Sequence, residues 1–305
     1  MKLFTPDQLK GKVIVVVGSP RGLTKALATK AAQLGAHIAL IQRNRVRATE
    51  SNIVFDFANE MRQTGIEVLP FVCDVRNRDE ITSTMAEIGD RFGHIDVVVS
   101  LLGSIKMMDL AHHTPESDFG LMSSTDIQGT RQAVRAALPY LERSSDPHVL
   151  LSAPPLRYSS DWNVPNTPYS MTKFAMSMCA IGLMAELEGS RIAVNALWPR
   201  LKIRLDDAPQ SDLQESLVQT PHARRPDIVV DAAIWLIMQK KSDALTGQFW
   251  TDEKVLQKAG VEDFTPYRYT MKRTASAKSL VSLASSESSD KKSHRLSIFK
   301  FLQRL

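Results

Sequence analysis

The sequence predicts a single doubly wound α/β domain, in which one parallel sheet is covered by helices on both faces. Apolar runs without polar alternation, such as Val13–Val17 and Val97–Val99, are typical of strands that are buried on both faces. Helical patterns alternate with these runs from residue 12 to about residue 250. Because parallel strands are joined by right-handed helical crossovers, this alternation favours one open sheet. We assign residues 1–267 to this domain.

The individual elements follow from residue type and spacing. Short runs rich in Val, Ile and Leu predict strands, and apolar residues recurring every three or four positions predict helices. The predicted strands are Lys12–Val17, His37–Gln42, Glu67–Val72, Ile95–Ser100, His148–Ser152, Arg191–Ala196 and Gln248–Thr251. The predicted helices include Leu23–Leu34, Thr49–Thr64, Arg78–Phe92 and Tyr169–Leu187.

The charge of the chain is distributed unevenly. The 305 residues carry 38 Lys and Arg against 33 Asp and Glu. From Pro266 to Leu305 there are 9 basic and 2 acidic residues, so the remainder of the chain is close to neutral. The basic character therefore belongs to the C-terminal tail and does not indicate a nucleic-acid partner.

Cysteine usage and hydropathy favour a reducing compartment. Cys73 and Cys179 lie far apart in apolar surroundings, which argues against a disulfide framework. The sequence contains no apolar run long enough to span a membrane, and its first residues lack the apolar stretch of a secretion signal. We expect a cytoplasmic location. No Cys and His residues fall at ligand spacing, so no metal site is expected.

Residues 268–305 form a tail of different composition. The Ser-, Ala- and Lys-rich stretch Thr274–Ser293 predicts disorder. The last segment, Arg295–Leu305, places its apolar residues on one helical face with basic residues elsewhere. Such a segment suits peripheral contact with an anionic membrane or a partner groove. We favour a frayed terminus, or a short helix docked on its own domain, over such a contact.

A glycine-containing turn follows the first predicted strand. Glycines in such a turn let backbone N–H groups approach a pyrophosphate, and the N-terminus of the following helix favours that negative charge. The position of the turn, after a buried strand and before an Ala-rich helix, predicts a dinucleotide site. Its candidate residues are Gly18, Ser19, Arg21, Gly22 and Leu23.

The end of the second predicted strand indicates which dinucleotide binds. An NAD site usually presents a carboxylate there to the ribose, whereas a 2′-phosphate needs cations. The strand ends in Ile41-Gln42-Arg43-Asn44-Arg45, without a carboxylate. Arg43, with Arg21, could bind the 2′-phosphate by charge-assisted hydrogen bonds. The pattern predicts NADP rather than NAD, unless these arginines only line a solvated loop.

A tyrosine and a lysine four residues apart open the long fourth helix. This spacing places Tyr169 and Lys173 on one helical face. A phenol has a pKa of about 10, and a nearby ammonium lowers that pKa and makes the phenol usable in acid–base catalysis. Ser152, at the end of the fifth strand, could polarise a substrate carbonyl. With the phosphate turn, these residues predict hydride transfer between a carbonyl and an alcohol.

On these motifs the chain resembles the short-chain dehydrogenase/reductase family from about Lys10 to Tyr267. The resemblance implies a Rossmann-type sheet, NADP(H)-dependent chemistry on a hydrophobic small molecule and a homo-oligomeric assembly. It further implies that Asp74 bonds the adenine and that Lys173 also holds the nicotinamide ribose, and it makes a peroxisomal or mitochondrial location an alternative to the cytoplasm. The other segments that carry it are Pro70–Arg76, Phe92–Asp96, Phe174–Met178, Ile192–Pro199 and Thr246–Glu253.

Four positions depart from the family pattern. The third glycine is Thr24, the Asn of the catalytic helix is Asp126, Ser100-Leu101-Leu102-Gly103 replaces Asn-Asn-Ala-Gly, and Pro199-Arg200 replaces Pro-Gly. A carboxylic acid donates a hydrogen bond only when protonated, a state that burial favours, so Asp126 is kept as a candidate catalytic residue. Ser159 and Ser160 are alternatives to Ser152. These departures also support a second hypothesis, a catalytically weak or inactive dinucleotide-binding module with a docking tail.

Overall fold

Seven strands form one sheet in the order β3-β2-β1-β4-β5-β6-β7, with every neighbouring pair parallel. The computed structural model describes residues 3–43, 53–63, 65–103, 116–156, 167–205, 223–242 and 245–269. The doubly wound α/β prediction is confirmed, and every predicted strand is present to within two residues at either end. The strands are β1 (Val13–Val17), β2 (His37–Gln42), β3 (Val68–Val72), β4 (Val97–Ser100), β5 (His148–Leu151), β6 (Ala193–Trp198) and β7 (Gln248–Thr251).

Helices connect and cover the strands. Each of the four predicted helices is present, although the ends predicted for the second one, Thr49 and Thr64, lie outside the described residues. Within the described part of the chain, no helix is long and apolar enough to cross a membrane. The helices are α1 (Gly22–Gln33), α2 (Ile53–Gln63), α3 (Arg78–Phe92), α4 (Glu116–Ser123), a π-helical segment (Ser124–Gln128), α5 (Gly129–Leu141), α6 (Thr167–Glu186), α7 (Asp227–Ile237) and α8 (Asp252–Lys258).

Both faces of the sheet are packed, which explains the continuous apolar runs of the sequence. Along β1, Val13, Val15 and Val17 pack with α3, α5 and α6. The alternate residues Ile14 and Val16 pack with α1, α2 and α7 on the opposite face. Successive side chains of a strand point to opposite faces, so a strand covered on both faces has no polar position.

The direction of strand addition reverses at β1. The order runs from β1 to β2 and β3 on one side and from β1 to β4 and the later strands on the other. In open α/β sheets, ligands bind at the carboxyl ends of the strands beside such a reversal point. The carboxyl edge at β1 and β4 is therefore the place where a ligand is expected.

Asp252 anchors the segment that follows β6 at this edge. One of its oxygens accepts hydrogen bonds from the backbone N–H of Arg200 at 2.9 Å and of Glu253 at 2.8 Å. Its second oxygen has no hydrogen-bond partner among the described residues. Burial, with a contribution from the charge of Glu253, raises the pKa of Asp252 to about 6. The folded protein thus holds a proton on this carboxyl more tightly than the unfolded chain does.

This proton linkage predicts how Asp252→Asn changes stability. The stabilisation of the protonated carboxyl is complete below the pKa of an exposed Asp, about 4, and is lost as pH rises towards about 6. Asn keeps an acceptor oxygen for the two N–H groups but never ionises. Between pH 5 and pH 7.5 we expect the free energy of unfolding of the variant to rise by about 1–2 kcal/mol relative to that of the wild type. Urea unfolding at both pH values, with the exposed Asp56→Asn as control, measures this gain. A difference between the two proteins that does not change with pH contradicts the assignment.

Candidate active site

The turn between β1 and α1 is a tight glycine cradle. A Cβ on Gly18 would lie 2.9 Å from Oγ1 of Thr24 and 3.3 Å from the carbonyl oxygen of Leu101. Gly22 has a φ of 51°, in the left-handed region that favours glycine. Thr24, which stands where the family pattern has its third glycine, is buried against Gly18. The turn therefore accommodates the additional side chain. Glycine at 18 is required because β1, α1 and the end of β4 converge there.

The N-terminus of α1 opens from this cradle. Arg21 is its N-cap residue, and its carbonyl accepts the N–H of Thr24 at 3.1 Å. Ser19 and Arg21 are exposed, and the first turn of the helix contains no acidic residue. A helix N-terminus carries partial positive charge, and here no carboxylate of that turn compensates it. The cradle and the helix end fit a pyrophosphate group.

Two arginines act on one carboxylate beside β2 and β3. Asp74, which follows β3, accepts hydrogen bonds from Nε of Arg76 at 2.9 and 3.1 Å. The hydrogen bonds from Arg76, together with the charges of Arg76 and Arg43, hold the pKa of Asp74 below its usual value. Arg43 comes directly after β2, the strand whose end faces the adenosine ribose in a dinucleotide fold. Sequence reasoning missed Arg76, whose pairing with Asp74 only the fold reveals; the predicted adenine bond of Asp74 stays a prediction.

Tyr169 and Lys173 lie at the N-terminal end of α6. The Nζ atom of Lys173 is 5.8 Å from the centre of the Tyr169 ring. The side chain of Lys173 is only 6% exposed, whereas Tyr169 is partly buried. The predicted couple is therefore present as neighbours on one helix.

The ammonium of Lys173 is engaged inside the protein. It donates to the carbonyl oxygen of Leu102 at 3.2 Å, to Oδ2 of Asp126 at 3.3 Å and to Sδ of Met176 at 3.3 Å. Asp126 is 1% exposed and lies on the π-helical segment between α4 and α5. Asp126, a predicted catalytic residue, forms a buried ion pair with Lys173. The fold supplies a cation that sequence reasoning had not placed beside this carboxyl group.

The expected effect on the phenol is also reversed. Burial, and after it the negative charge of Asp126, raises the pKa of Tyr169 to about 12. The prediction that Lys173 lowers this pKa is wrong for the described structure. The physical reason is that burial of the phenol, and after it the negative charge of Asp126, disfavours the phenolate.

Ser152 follows β5 on the same carboxyl edge. Its backbone N–H donates to the carbonyl oxygen of Ser100 at 3.0 Å, which continues the pairing of β5 with β4. Its alternatives Ser159 and Ser160 lie outside the described residues. Ser152 borders a small cavity of about 20 Å³ whose other lining residues are apolar: Leu23, Leu27, Val99, Leu101, Leu150, Leu151, Leu197, Pro199, Val229, Val230 and Ala233.

Two further residues of this edge were missed in the sequence. A Cβ on Gly103 would lie 3.2 Å from Nζ of Lys173, so the end of β4 passes close to the ammonium. A Cβ on Gly22 would lie 2.7 Å from Cδ1 of Leu205, so Leu205 covers the start of α1. In the sequence, Gly103 was considered only as part of Ser100-Leu101-Leu102-Gly103, a segment that departs from the family pattern. Leu205 gives no signal, because it follows β6 in an irregular segment.

Comparison with known proteins assigns the family. The sequence profile described as short chain dehydrogenase matches residues 12–201. The chain belongs to the short-chain dehydrogenase family. This family consists of oxidoreductases that use NAD(P), and the predicted resemblance is confirmed.

Individual relatives and solved structures support the assignment to the short-chain dehydrogenase family. Hydroxysteroid dehydrogenase-like protein 2 of Rattus norvegicus is 34% identical over 264 residues, which is 86% of this chain and 49% of that protein. The chain thus spans about half the length of this relative. A short chain dehydrogenase of Mycobacterium thermoresistibile is 29% identical, with a TM-score of 0.72 over 85% of this chain and 91% of that chain. A Burkholderia cenocepacia short chain dehydrogenase, solved in complex with NADP, shares the fold at 19% identity and a TM-score of 0.65, over 80% of this chain and 97% of that chain.

The residues present fit the dinucleotide that the family uses. Gly18 and Gly22 leave the space that a Cβ would fill, and the start of α1 offers N–H groups without an opposing acid. Among the described residues, no group of three or more His, Cys, Asp and Glu side chains is placed to hold a metal ion.

Proposed function

We propose that the chain is an NADP(H)-dependent oxidoreductase that interconverts a carbonyl and an alcohol on a hydrophobic small molecule. One observation carries the proposal. The carbonyl of Leu101 lies beside Gly18 of the dinucleotide cradle, and the carbonyl of the next residue, Leu102, accepts a hydrogen bond from Lys173 at 3.2 Å. Two consecutive residues at the end of β4 thus link the predicted cofactor turn to the Tyr169–Lys173 couple.

Each part of the proposed site has a defined task. Gly18, Ser19, Gly22 and Leu23 would cradle the pyrophosphate, and Asp74 would bond the adenine. The bound nicotinamide would supply or accept the hydride. The hydroxyl of Tyr169 would give a proton to the substrate oxygen in reduction and take it back in oxidation. Ser152 would polarise the substrate carbonyl by donating a hydrogen bond.

The preference for NADP rests on charge at the end of β2. In the described residues that end this strand, Gln42 and Arg43, no carboxylate is available for a ribose diol. Arg43 contributes positive charge there, and Arg21 lies exposed at the cradle. Guanidinium groups bind phosphate through paired, charge-assisted hydrogen bonds, which supports a 2′-phosphate as the ligand.

Turnover on a panel of carbonyl compounds tests this proposal. Oxidation of NADPH is followed by its absorbance with hydrophobic ketones and aldehydes, and the reverse reaction is followed with the matching alcohols and NADP⁺. We expect NADPH consumption that depends on the carbonyl compound and on the protein. Tight NADPH binding without consumption for any member of the panel contradicts an oxidoreductase function.

A catalytically silent dinucleotide-binding module is the second candidate. The observation that favours it is the engagement of the Lys173 ammonium by Leu102, Asp126 and Met176, which satisfies its three donors within the protein. Such a module would bind NADPH and leave the carbonyl panel unchanged. Its proposed docking tail, residues 268–305, lies almost entirely outside the described part of the chain.

Self-association is a further part of the proposal. Met171, Met178 and Ile181 are exposed on one side of α6, at 54%, 59% and 39% of their surface. Their spacing of seven and three residues forms an apolar stripe that a second copy could cover. Sedimentation equilibrium measures the mass of the wild type and of Met178→Glu in solution. We expect a dimer for the wild type and weaker dimerisation for Met178→Glu, because the variant places a charge in the stripe. A monomer in both proteins contradicts self-association through this stripe.

A further inference from the structure

The carboxylate of Glu253 joins two segments that are separate in the sequence. Glu253 lies in the first turn of α8. Its Oε2 accepts a hydrogen bond from Nη1 of Arg200 at 3.0 Å, and its Oε1 accepts one from Nη2 of Arg224 at 3.1 Å. Arg200 follows β6 and Arg224 precedes α7, so one carboxylate holds both described ends of the connection between these two elements. We call Glu253 with Arg200 and Arg224 the clamp.

Backbone hydrogen bonds continue the pairing that the clamp begins. The N–H of Arg224 donates to the carbonyl oxygen of Lys202 at 2.8 Å, and the carbonyl of Arg224 accepts the N–H of Arg204 at 2.9 Å. The Nη1 atom of Arg224 also donates to the carbonyl oxygen of Phe264 at 3.1 Å. The segment after β6 is therefore fixed to the residues that lead into α7 by both side chains and backbone.

The two arms of the clamp differ in their exposure to water. The side chains of Glu253 and Arg224 are 9% and 12% exposed, whereas that of Arg200 is 61% exposed. Water screens the outer pair with Arg200, while removal of Glu253 would leave the guanidinium of Arg224 without its paired carboxylate in a shielded position. The inner arm is therefore the stronger one. Arg200 stands where the family pattern has glycine, a residue without a side chain to form the outer arm.

The clamped segment extends from the small apolar cavity to the dinucleotide cradle. Pro199, at its start, lines the cavity that Ser152 borders. Leu205, at its end, directly follows the bonded residue Arg204, and its Cδ1 would lie 2.7 Å from a Cβ on Gly22. The position of residues 199–205 therefore decides what surrounds a ligand at the start of α1.

We propose that Glu253 is a positioning residue for dinucleotide binding: by pairing with Arg200 and Arg224, its carboxylate fixes residues 199–205 against the start of α1. A segment that is already ordered in the free protein does not have to be ordered when the ligand binds, which favours affinity. The inference rests on the proposed function for its ligand, NADPH, while the clamp itself concerns the protein alone.

Exchange of Glu253 for Gln isolates the role of the carboxylate. Gln has a similar size but lacks the charge and the second acceptor oxygen. Hydrogen exchange, followed by NMR without cofactor, is measured at the amides of Arg204 and Arg224. We expect both amides to exchange faster by about tenfold or more in the variant. In fluorescence titrations, we expect the dissociation constant of NADPH to rise by about three- to tenfold.

A matched control lies at the opposite edge of the sheet. The side chain of Asp96, which precedes β4, is 5% exposed, pairs with Nζ of Lys12 at 3.3 Å and accepts the N–H of Val13 at 2.8 Å. Asp96→Asn removes a paired carboxylate of similar burial, so it should lower the free energy of unfolding without changing NADPH binding or exchange at the two amides. An equal loss of NADPH affinity in Asp96→Asn and Glu253→Gln would make Glu253 a general structural residue and overturn the proposal.

Arg200→Met supplies a second variant at an exposed position. It removes the outer arm alone and decides the question if Glu253→Gln does not fold. We expect a smaller effect in the same direction. Combined with Glu253→Gln, it should add little, because the carboxylate that Arg200 pairs with is already absent. Effects of the two substitutions that simply add would contradict the clamp.

The wild type separates failure of this inference from failure of the proposed function. A wild type that binds no NADPH overturns the proposed function and the positioning role with it, whatever the exchange rates are. If the wild type binds NADPH and Glu253→Gln binds it equally well or more tightly, the positioning role alone is overturned. Unchanged exchange at the amides of Arg204 and Arg224 has the same consequence.

Discussion

Replacing Tyr169 with Phe is expected to lower turnover by about two to four orders of magnitude. The substitution keeps the ring that lies 5.8 Å from the Lys173 ammonium and removes only the hydroxyl that would move the proton. Because the hydroxyl is not part of the β1–α1 cradle, NADPH binding should change little. Steady-state rates on an active carbonyl compound and NADPH titration by fluorescence, in the same preparations, measure both quantities.

Tyr140→Phe is the matched control for this experiment. Tyr140 lies near the end of α5, and its carbonyl accepts the N–H of Ile95, just before the amino end of β4. It is therefore at the edge of the sheet opposite the proposed site, and its hydroxyl should not matter. Equal losses in the two variants, or loss of NADPH binding together with turnover in Tyr169→Phe, would make Tyr169 a structural residue.

Replacing Arg43 with Ala is expected to weaken NADPH binding by about 10–100-fold and to leave NADH binding nearly unchanged. This is the range that hydrogen bonds to a charged group contribute, about 1.5–3 kcal/mol. The two cofactors differ only in the 2′-phosphate, so the ratio of their dissociation constants isolates the contact of Arg43 with that group. Fluorescence titration of both cofactors at fixed salt gives the ratio.

A surface arginine provides the control for Arg43. Arg91, near the end of α3, pairs with Glu67 at 3.4 Å, and both side chains are more than half exposed. Arg91→Ala removes the same charge away from the carboxyl edge and should alter neither constant. If Arg43→Ala weakens NADH as much as NADPH, Arg43 supports the site as a whole and the assignment of NADP fails.

The fold could be predicted from the sequence because local residue patterns indicate its strands, turns and helices. The uninterrupted run Val13–Val17 requires a strand covered on both faces, and the glycines at 18 and 22 mark the turn that follows it. The pair Tyr169 and Lys173 could also be placed, since four residues along a helix return to the same face. These predictions used residues close together in the chain.

The contacts of Lys173 could not be predicted in this way. Its partners Asp126 and Leu102 are 47 and 71 residues away along the chain. Asp126 lies on a π-helical segment, whose turn departs from the 3.6-residue period that sequence patterns assume. The expected lowering of the pKa of Tyr169 considered only its helical neighbour. The opposite direction arises from burial and from a carboxylate that tertiary packing brings to the site.

A crystal structure with NADPH bound would show where the nicotinamide lies relative to Tyr169. We expect the pyrophosphate at the start of α1 beside Gly18 and Gly22, the 2′-phosphate at Arg43, and the nicotinamide ring beside the hydroxyl of Tyr169. A dinucleotide held in the same cradle with its nicotinamide directed away from Tyr169 would contradict the catalytic assignment.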